Sequence, residues 1–269
     1  MKINNCCFSL RGYNKVCWIV ENRCNLNCAF CFHNQFKGDI DAFAKRDNEF
    51  IKIISNLKKR NIKHVILSGG EPLLSCDLFN IINLLDSHGF TISISTNATL
   101  ATPEFCSRLK QTSVKRLTVN LAAVCDNDGR IVKNNNSALT IDGIHNLISS
   151  GFIVTLNNIL HTSTTKESIL QNIEYGVQWG AKVISFTVPV CKYSCESCTA
   201  DYFISTDIVQ KLQTYIEEIE RETEPKISIE FNYPNCNSDS CPANREIFGV
   251  GMDGIVSTCL VKQYQMLSK

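Results

Sequence analysis

Lys15-Val-Cys-Trp-Ile-Val-Glu21, then Asn22-Arg23, then Cys24-Asn-Leu-Asn-Cys-Ala-Phe-Cys-Phe-His33: the order of these residues decides the fold. The first part carries Val16, Trp18, Ile19 and Val20 in one run, which suits a strand buried on both faces. The second part sets three cysteines at i, i+4 and i+7. Helical spacing would put them on one face, but Asn25 and Asn27 favour a loop. A loop of this length can curl three thiolates around one metal cluster, and thiolates are the usual ligands of iron–sulfur clusters. Three protein ligands leave one iron of a four-iron cluster open to a small molecule. The alternative reading is three core cysteines, since unligated Cys is often buried.

Outward from this stretch, strands and helices alternate. Apolar runs predict further strands over 64–67, 91–95, 116–121, 152–160 and 182–190. Helices are predicted over 47–60, 76–88, 103–110, 139–149, 166–179 and 208–220. Phe50, Ile53, Ile54 and Leu57 have helical spacing, as do Ile208, Leu212, Tyr215, Ile216 and Ile219. Thr102 and Pro103 form an N-terminal signal, and Gly89 and Gly151 follow helix ends. This rhythm argues for an α/β fold with a parallel sheet built of βα units. Six units are too few for the usual eight-stranded closed barrel, so a partial (βα)6 barrel is expected. In such a fold the working groups sit at the C-terminal ends of the strands.

Two later motifs sit at such positions. Ser68-Gly69-Gly70-Glu71-Pro72 follows the second strand, and Ser95-Thr96-Asn97 ends the third. Together with Cys24-x3-Cys28-x2-Cys31 and the aromatic Phe30, they resemble the signature of the radical S-adenosylmethionine (radical SAM) superfamily. Order and spacing match from about Lys15 to Val190. Ala98 stands where the family's Thr-Asn-Gly has glycine.

The resemblance implies roles for individual residues. Cys24, Cys28 and Cys31 would hold a 4Fe–4S cluster whose fourth iron takes the amino and carboxylate groups of S-adenosylmethionine (SAM). Gly69 and Gly70 would let backbone approach the methionine end of SAM, and Pro72 opens the way into the next helix. Glu71 is either structural or a charged partner of the SAM ammonium. Phe30 matches the family's aromatic beside the adenine, and Thr96 and Asn97 can hydrogen-bond polar groups of SAM. Asn157 and Asn158 lie where the family places ribose contacts, with one of the two facing inward; a solvated strand end is the alternative. An electron donor such as a flavodoxin or ferredoxin would drive reductive cleavage of SAM to methionine and a 5′-deoxyadenosyl radical. Cys-Phe-His at 31–33 also occurs in the antiviral, nucleotide-dehydrating branch of the superfamily; a polar loop residue is the alternative for His33.

The 15 cysteines hold a second signal. Cys191-x3-Cys195-x2-Cys198 repeats the first spacing just past the sixth strand. Cys236, Cys241 and Cys259 follow, and Asp253-Gly254 predicts a hairpin over 247–260. The Cys241 and Gly254-x4-Cys259 pattern resembles the opening of SPASM and twitch extensions, which bind auxiliary iron–sulfur clusters. The later cysteines of a full SPASM domain are absent, so a shortened, twitch-like extension is the better match. A structural zinc site or plain thiols are the rival readings. The expected organisation is a lead-in over 1–14, a core over 15–223 and a Cys-rich extension over 224–269. Cys125, past the fourth strand, is either an incidental loop thiol or a hydrogen-atom donor to a substrate radical.

Charge and hydropathy narrow the partners. Lys+Arg of 27 against Asp+Glu of 26 gives a formal charge of +1, which suggests no steering onto nucleic acid or an anionic membrane. No apolar run reaches membrane-spanning length and no signal-peptide core opens the chain, so a cytoplasmic protein is expected. Clustered cysteines in such a chain point to metal rather than disulfides. The expected activity is oxidative radical modification of a ribosomal peptide or related natural product. The alternatives are a nucleotide or aminoglycoside substrate, or a non-catalytic iron–sulfur or zinc sensor.

Overall fold

The computed structural model describes residues 1–4, 14–31, 47–121, 132–133, 137–189, 204–223, 226–232, 249–251 and 256–257. The core strands are β2 (Lys15–Glu21), β4 (His64–Gly69), β5 (Thr91–Thr96), β6 (Arg116–Asn120), β8 (Ile153–Ile159), β9 (Val183–Thr187) and β10 (Ser228–Asn232). Helices α1 (Asp47–Lys59), α2 (Leu78–Ser87), α3 (Pro103–Leu109), α4 (Ser137–Ser149), α5 (Lys166–Trp179) and α6 (Thr206–Thr223) lie between them in sequence. Shorter strands are β1 (Lys2–Asn4), β3 (Asn27–Cys28), β7 (Val132–Lys133), β11 (Gly249–Val250) and β12 (Val256–Ser257). The main sheet runs β1-β10-β9-β8-β6-β5-β4-β2-β11-β12, parallel throughout except for the β11–β12 pair.

From β2 to β10 the core strands are laid down in chain order across the sheet. Right-handed crossovers that all advance in one direction put every connecting helix on the same face. The side chains divide accordingly. Val65, Leu67, Ile92, Ile94, Leu117, Val119, Val154, Leu156, Ile184, Phe186, Ile229 and Phe231 share one core with Ile54, Leu57, Ile82 and Ile216 of the helices. Many of the alternate positions are polar: Ser93 and Ser95, Thr118, Thr155 and Asn157, Ser185 and Thr187. This face opposite the helices is the inner wall of the partial barrel. Burial on both faces, expected for β2, holds there: Cys17 and Ile19 are buried although they lie outside the helix-side core. The other core strands are mainly apolar on the helix side, and on the inner side they mix polar residues with a few aliphatic ones, Ile66, Ile153, Ile159 and Val183.

Helix ends follow local chemistry. The Thr165 hydroxyl accepts from Ser168 N at the start of α5, and Gly180 closes that helix at φ 81°, a left-handed conformation that glycine adopts without a Cβ clash. The Thr102 hydroxyl accepts from Phe105 N at 3.2 Å to start α3.

The edges of the sheet depart from the six-strand expectation. β1 lies in the 1–14 lead-in, for which no element was predicted, and pairs with β10; β10 itself continues the core sheet beyond β9. Five alternating residues, Ser-Ile-Glu-Phe-Asn, carry that strand, a pattern too short to stand out beside Pro- and Cys-rich neighbours. At the other edge β11 adds to β2, and β11 and β12 pair antiparallel as the predicted hairpin requires. The Asp253-Gly254 turn lies outside the described residues. A separate two-stranded ladder, β3 with β7, ties the cysteine loop to the connection between β6 and α4.

Candidate active site

The cysteine loop leaves the C-terminal end of β2 and folds around Leu26, a buried side chain against which Cys24, Cys28 and Phe30 pack. The Leu26 backbone N–H donates to Cys24 Sγ at 3.4 Å, and the Asn97 amide approaches the same sulfur at 4.0 Å. Cys31 N donates to Cys28 O at 3.1 Å and closes a turn between the second and third cysteines. All three cysteines are partly exposed. Among the described residues no three His, Cys, Asp or Glu side chains are gathered at metal-binding distance, this triad included. The donor set nonetheless suits an iron–sulfur cluster: three soft ligands on one loop, an apolar floor, and N–H groups aimed at sulfur, which stabilise thiolate charge.

Gly69 and Gly70 make the loop's position possible. A Cβ on Gly69 would meet Glu21 O at 2.1 Å, and one on Gly70 would meet Arg23 O at 2.3 Å. Side chains there would push the two segments apart. Instead Gly70 N donates to Glu21 O at 2.7 Å and Glu71 N to Arg23 O at 2.8 Å. The close approach the glycines permit is thus to the root of the cysteine loop. Glu21 in turn holds Arg23 by two side-chain hydrogen bonds, at 3.0 and 2.8 Å. Burial pushes the Glu21 carboxyl up, but the Arg23 hydrogen bonds and charge outweigh it and hold the group below its ordinary value.

Glu71 is fully buried. Its Oε1 accepts from Thr96 Oγ1 at 2.6 Å and Leu73 N at 3.0 Å, and its Oε2 accepts from Asn97 N at 2.7 Å. Burial pushes the carboxyl up to about 7 against the pull of those three donors. Both oxygens are thus engaged by protein, and Glu71 braces the end of β5 against the Pro72–Leu74 turn that it caps. The Thr96 hydroxyl, donating to Glu71, also accepts from Ala98 N at 2.9 Å. Pro72 is buried at the first position of that turn.

Asn97 reaches back to the cysteine loop through a closed ring of three side chains. Asn97 Nδ2 donates to Asn25 Oδ1 at 2.8 Å, Asn25 Nδ2 to Thr99 Oγ1 at 2.7 Å, and Thr99 Oγ1 to Asn97 Oδ1 at 2.7 Å. Thr99 N adds a bond to Asn97 Oδ1 at 3.0 Å. Each amide orientation is fixed by this ring. Asn25 and Thr99 are the site residues that sequence reasoning missed; the signal available was a polar side chain between two cysteines. Ala98 adopts φ 61°, the left-handed conformation for which the family pattern supplies glycine.

On the inner wall, Asn157 Oδ1 accepts from Ser185 Oγ at 2.8 Å and Thr187 Oγ1 at 2.6 Å, and Asn232 Nδ2 donates to Thr187 Oγ1 at 3.0 Å. This row crosses β8, β9 and β10 at their C-terminal ends. Asn157 therefore faces inward, whereas Asn158 aligns with Phe186 on the helix side and is buried. Cys125, Cys191, Cys195, Cys198, Cys236, Cys241 and Cys259 lie outside the described residues, as does His33. No helix among the described residues is long and apolar enough to cross a membrane.

With this geometry in hand, comparison with known proteins is specific. Residues 18–176 match the Radical SAM superfamily. A GTP 3′,8-cyclase of Staphylococcus epidermidis is 27% identical over 166 residues, 58% of this chain and 48% of its own. The chain thus spans about half the length of the curated relatives it matches first. The mycofactocin maturase of Mycobacterium tuberculosis is 26% identical over 136 residues, 50% of this chain and 34% of its own. Among solved structures, Streptococcus suis SuiB bound to precursor peptide SuiA superposes with a TM-score of 0.76 at 15% identity, covering 93% of this chain and 60% of SuiB. At that identity the likeness is one of fold.

Proposed function

The chain belongs to the radical SAM superfamily, whose members use a 4Fe–4S cluster and SAM, and from that premise we propose that it oxidatively modifies a peptide. Cys24, Cys28 and Cys31 are the residues that would hold the cluster. The chemistry supplied there is one-electron reductive cleavage of SAM to methionine and a 5′-deoxyadenosyl radical, which takes a hydrogen atom from substrate. The chain's own residues do the positioning. Leu26 N–H steadies Cys24 Sγ, Gly69 and Gly70 let the loop root lie against the second motif, and the Asn25–Asn97–Thr99 ring fixes the loop's orientation. Asn157, held by Ser185 and Thr187, presents its amide N–H groups to the inner wall, where a ribose or substrate oxygen can accept them.

The observation that carries the peptide reading is that the described strand ends near the cluster loop gather no cluster of cations: Arg23, just past β2, is paired with Glu21. Ser68, Ser95, Asn120, Asn157, Thr187 and Asn232 end the strands on that side, and Lys15 and Arg116 begin theirs at the opposite end. A nucleoside triphosphate calls for clustered cations, which these strand ends do not offer; a peptide is suited by hydroxyls and amides. Cys191, Cys195, Cys198, Cys236, Cys241 and Cys259 are the residues that would hold an auxiliary cluster, which would supply an acceptor for one electron of a substrate radical; with a proton passed to solvent, the product would be dehydrogenated or cross-linked. The fold of SuiB, solved with its precursor peptide, is compatible with this reading.

A nucleotide substrate is the second reading, favoured by the GTP 3′,8-cyclases among the relatives. Anaerobic turnover separates the two. With SAM, reductant and a library of short peptides, a modified product should weigh two hydrogens less than its substrate. GTP consumed in step with 5′-deoxyadenosine, with the peptides untouched, would establish the second reading instead.

A further inference from the structure

Helix α4 belongs to none of the motifs, yet it seats the turn that carries Asn97. Thr140, buried, donates its hydroxyl to Asn97 O at 3.2 Å. Asn146 Nδ2 donates to Ala101 O at 3.0 Å. Between them Gly143 is buried against Ala98: a Cβ there would meet Ala98 O at 2.0 Å, its carbonyl carbon at 2.9 Å and its Cβ at 3.2 Å. Positions 140, 143 and 146 lie on one face of the helix, so this is a single contact surface. The surface holds the turn at its most constrained point, since Ala98 is itself buried and left-handed.

We propose that Thr140, Gly143 and Asn146 are positioning residues for the cysteine loop and for SAM, acting through the backbone of the Asn97–Ala101 turn. The inference rests on the radical SAM reading of the site. Any side chain at position 143 forces the Ala98 carbonyl back by about 1 Å or more to reach ordinary van der Waals separation. Asn97 cannot follow without disturbing its other bonds. Its backbone N–H is fixed to Glu71 Oε2, and its side chain to Asn25 and Thr99. Displacement of the Ala98–Thr99 peptide, whose N–H donates to Asn97 Oδ1, therefore reaches Asn97 and Asn25, which is bonded directly to Cys24 in the chain, and the N–H groups that face Cys24 Sγ.

Gly143→Ala in the reconstituted holoprotein tests this, with Gly176→Ala as its control. Gly176 is also a buried helix glycine, but a Cβ there meets Ile227 Cδ1 at 2.8 Å, the movable tip of a core side chain, and its other neighbours within 4 Å are Ile184 and Leu156, which belong to none of the motifs. SAM binding is measured by calorimetry, and the electron paramagnetic resonance spectrum of the reduced protein is recorded with and without SAM. Gly143→Ala should bind SAM at least about tenfold more weakly and lose the SAM-dependent spectral change, while Gly176→Ala keeps both. Should Gly143→Ala fail to fold, Thr140→Val gives the reading, with weaker SAM binding that Thr140→Ser restores. Wild-type affinity and spectra in Gly143→Ala, or in Thr140→Val, would overturn the inference. Wild-type protein that binds no SAM would overturn the reading beneath it.

Discussion

The Thr96 hydroxyl donates to Glu71 Oε1 at 2.6 Å and accepts from Ala98 N at 2.9 Å, so one side chain ties two motifs and the following turn together. Replacing it with an apolar group of the same shape leaves a buried carboxyl one donor short and the Ala98 N–H unmatched. Thr96→Val should cost about 1–3 kcal/mol of unfolding free energy, measured by chemical denaturation. Thr96→Ser, which keeps the hydroxyl, should cost less; equal losses would mean that the hydrogen bonds are not what the threonine contributes.

Glu71 makes folding depend on pH in a stated direction. Its carboxyl is pushed from an ordinary 4.5 up to about 7 by burial, so between those values the folded chain binds the extra proton. The contribution is fully present below about 4.5 and is lost as pH rises through about 7. Stability measured relative to Glu71→Gln, which does not titrate, should fall by on the order of 3 kcal/mol from pH 4.5 to pH 8. A relative stability that instead rises over this range would show that the three donors outweigh burial.

Ala98 sits at φ 61° and is buried. A left-handed residue with a Cβ costs roughly 1–2 kcal/mol, of which glycine's extra freedom in the unfolded chain returns part. Ala98→Gly should therefore stabilise the protein by about 0.5–1 kcal/mol in denaturant unfolding and leave SAM cleavage intact. A destabilised variant would mean that the Ala98 methyl packs usefully against Gly143.

Much of this was legible in the chain itself. The Val16–Val20 run, the cysteine loop behind it and the two later motifs located the site at the C-terminal ends of the first three core strands, because hydrophobic periodicity and motif position agree there. The edges were not legible. β1 and β10 are short and gain their stability from pairing, which no local pattern records. Nor was the internal bracing visible. Glu71 could be read as structural or as a partner for a cation, and its bonds to Thr96, Leu73 and Asn97 show only in three dimensions; Asn25, Thr99 and Gly143 matter only through residues distant in sequence. Gly69 and Gly70 were read as places where backbone approaches SAM; the close approach found there is to the backbone of Glu21 to Arg23.

The cysteines outside the cluster loop should differ sharply in reactivity. Cys76 is exposed, Cys106 is buried, and Cys17 is buried with its thiol pushed up to about 12 by desolvation, against a hydrogen bond with Ser68. Brief iodoacetamide treatment of the folded protein, read by peptide mass spectrometry, should label Cys76 and spare Cys17 and Cys106. Rapid labelling of Cys17 would contradict a closed wall at β2.

The cluster loop itself allows a direct measurement. Protein reconstituted anaerobically with iron and sulfide, then given SAM and a low-potential reductant, should release 5′-deoxyadenosine and methionine. The combined Cys24→Ala, Cys28→Ala and Cys31→Ala variant should release none above the protein-free rate. Production of 5′-deoxyadenosine at equal rates by the two proteins, or by neither, would contradict the assignment of these three cysteines to a SAM-cleaving cluster.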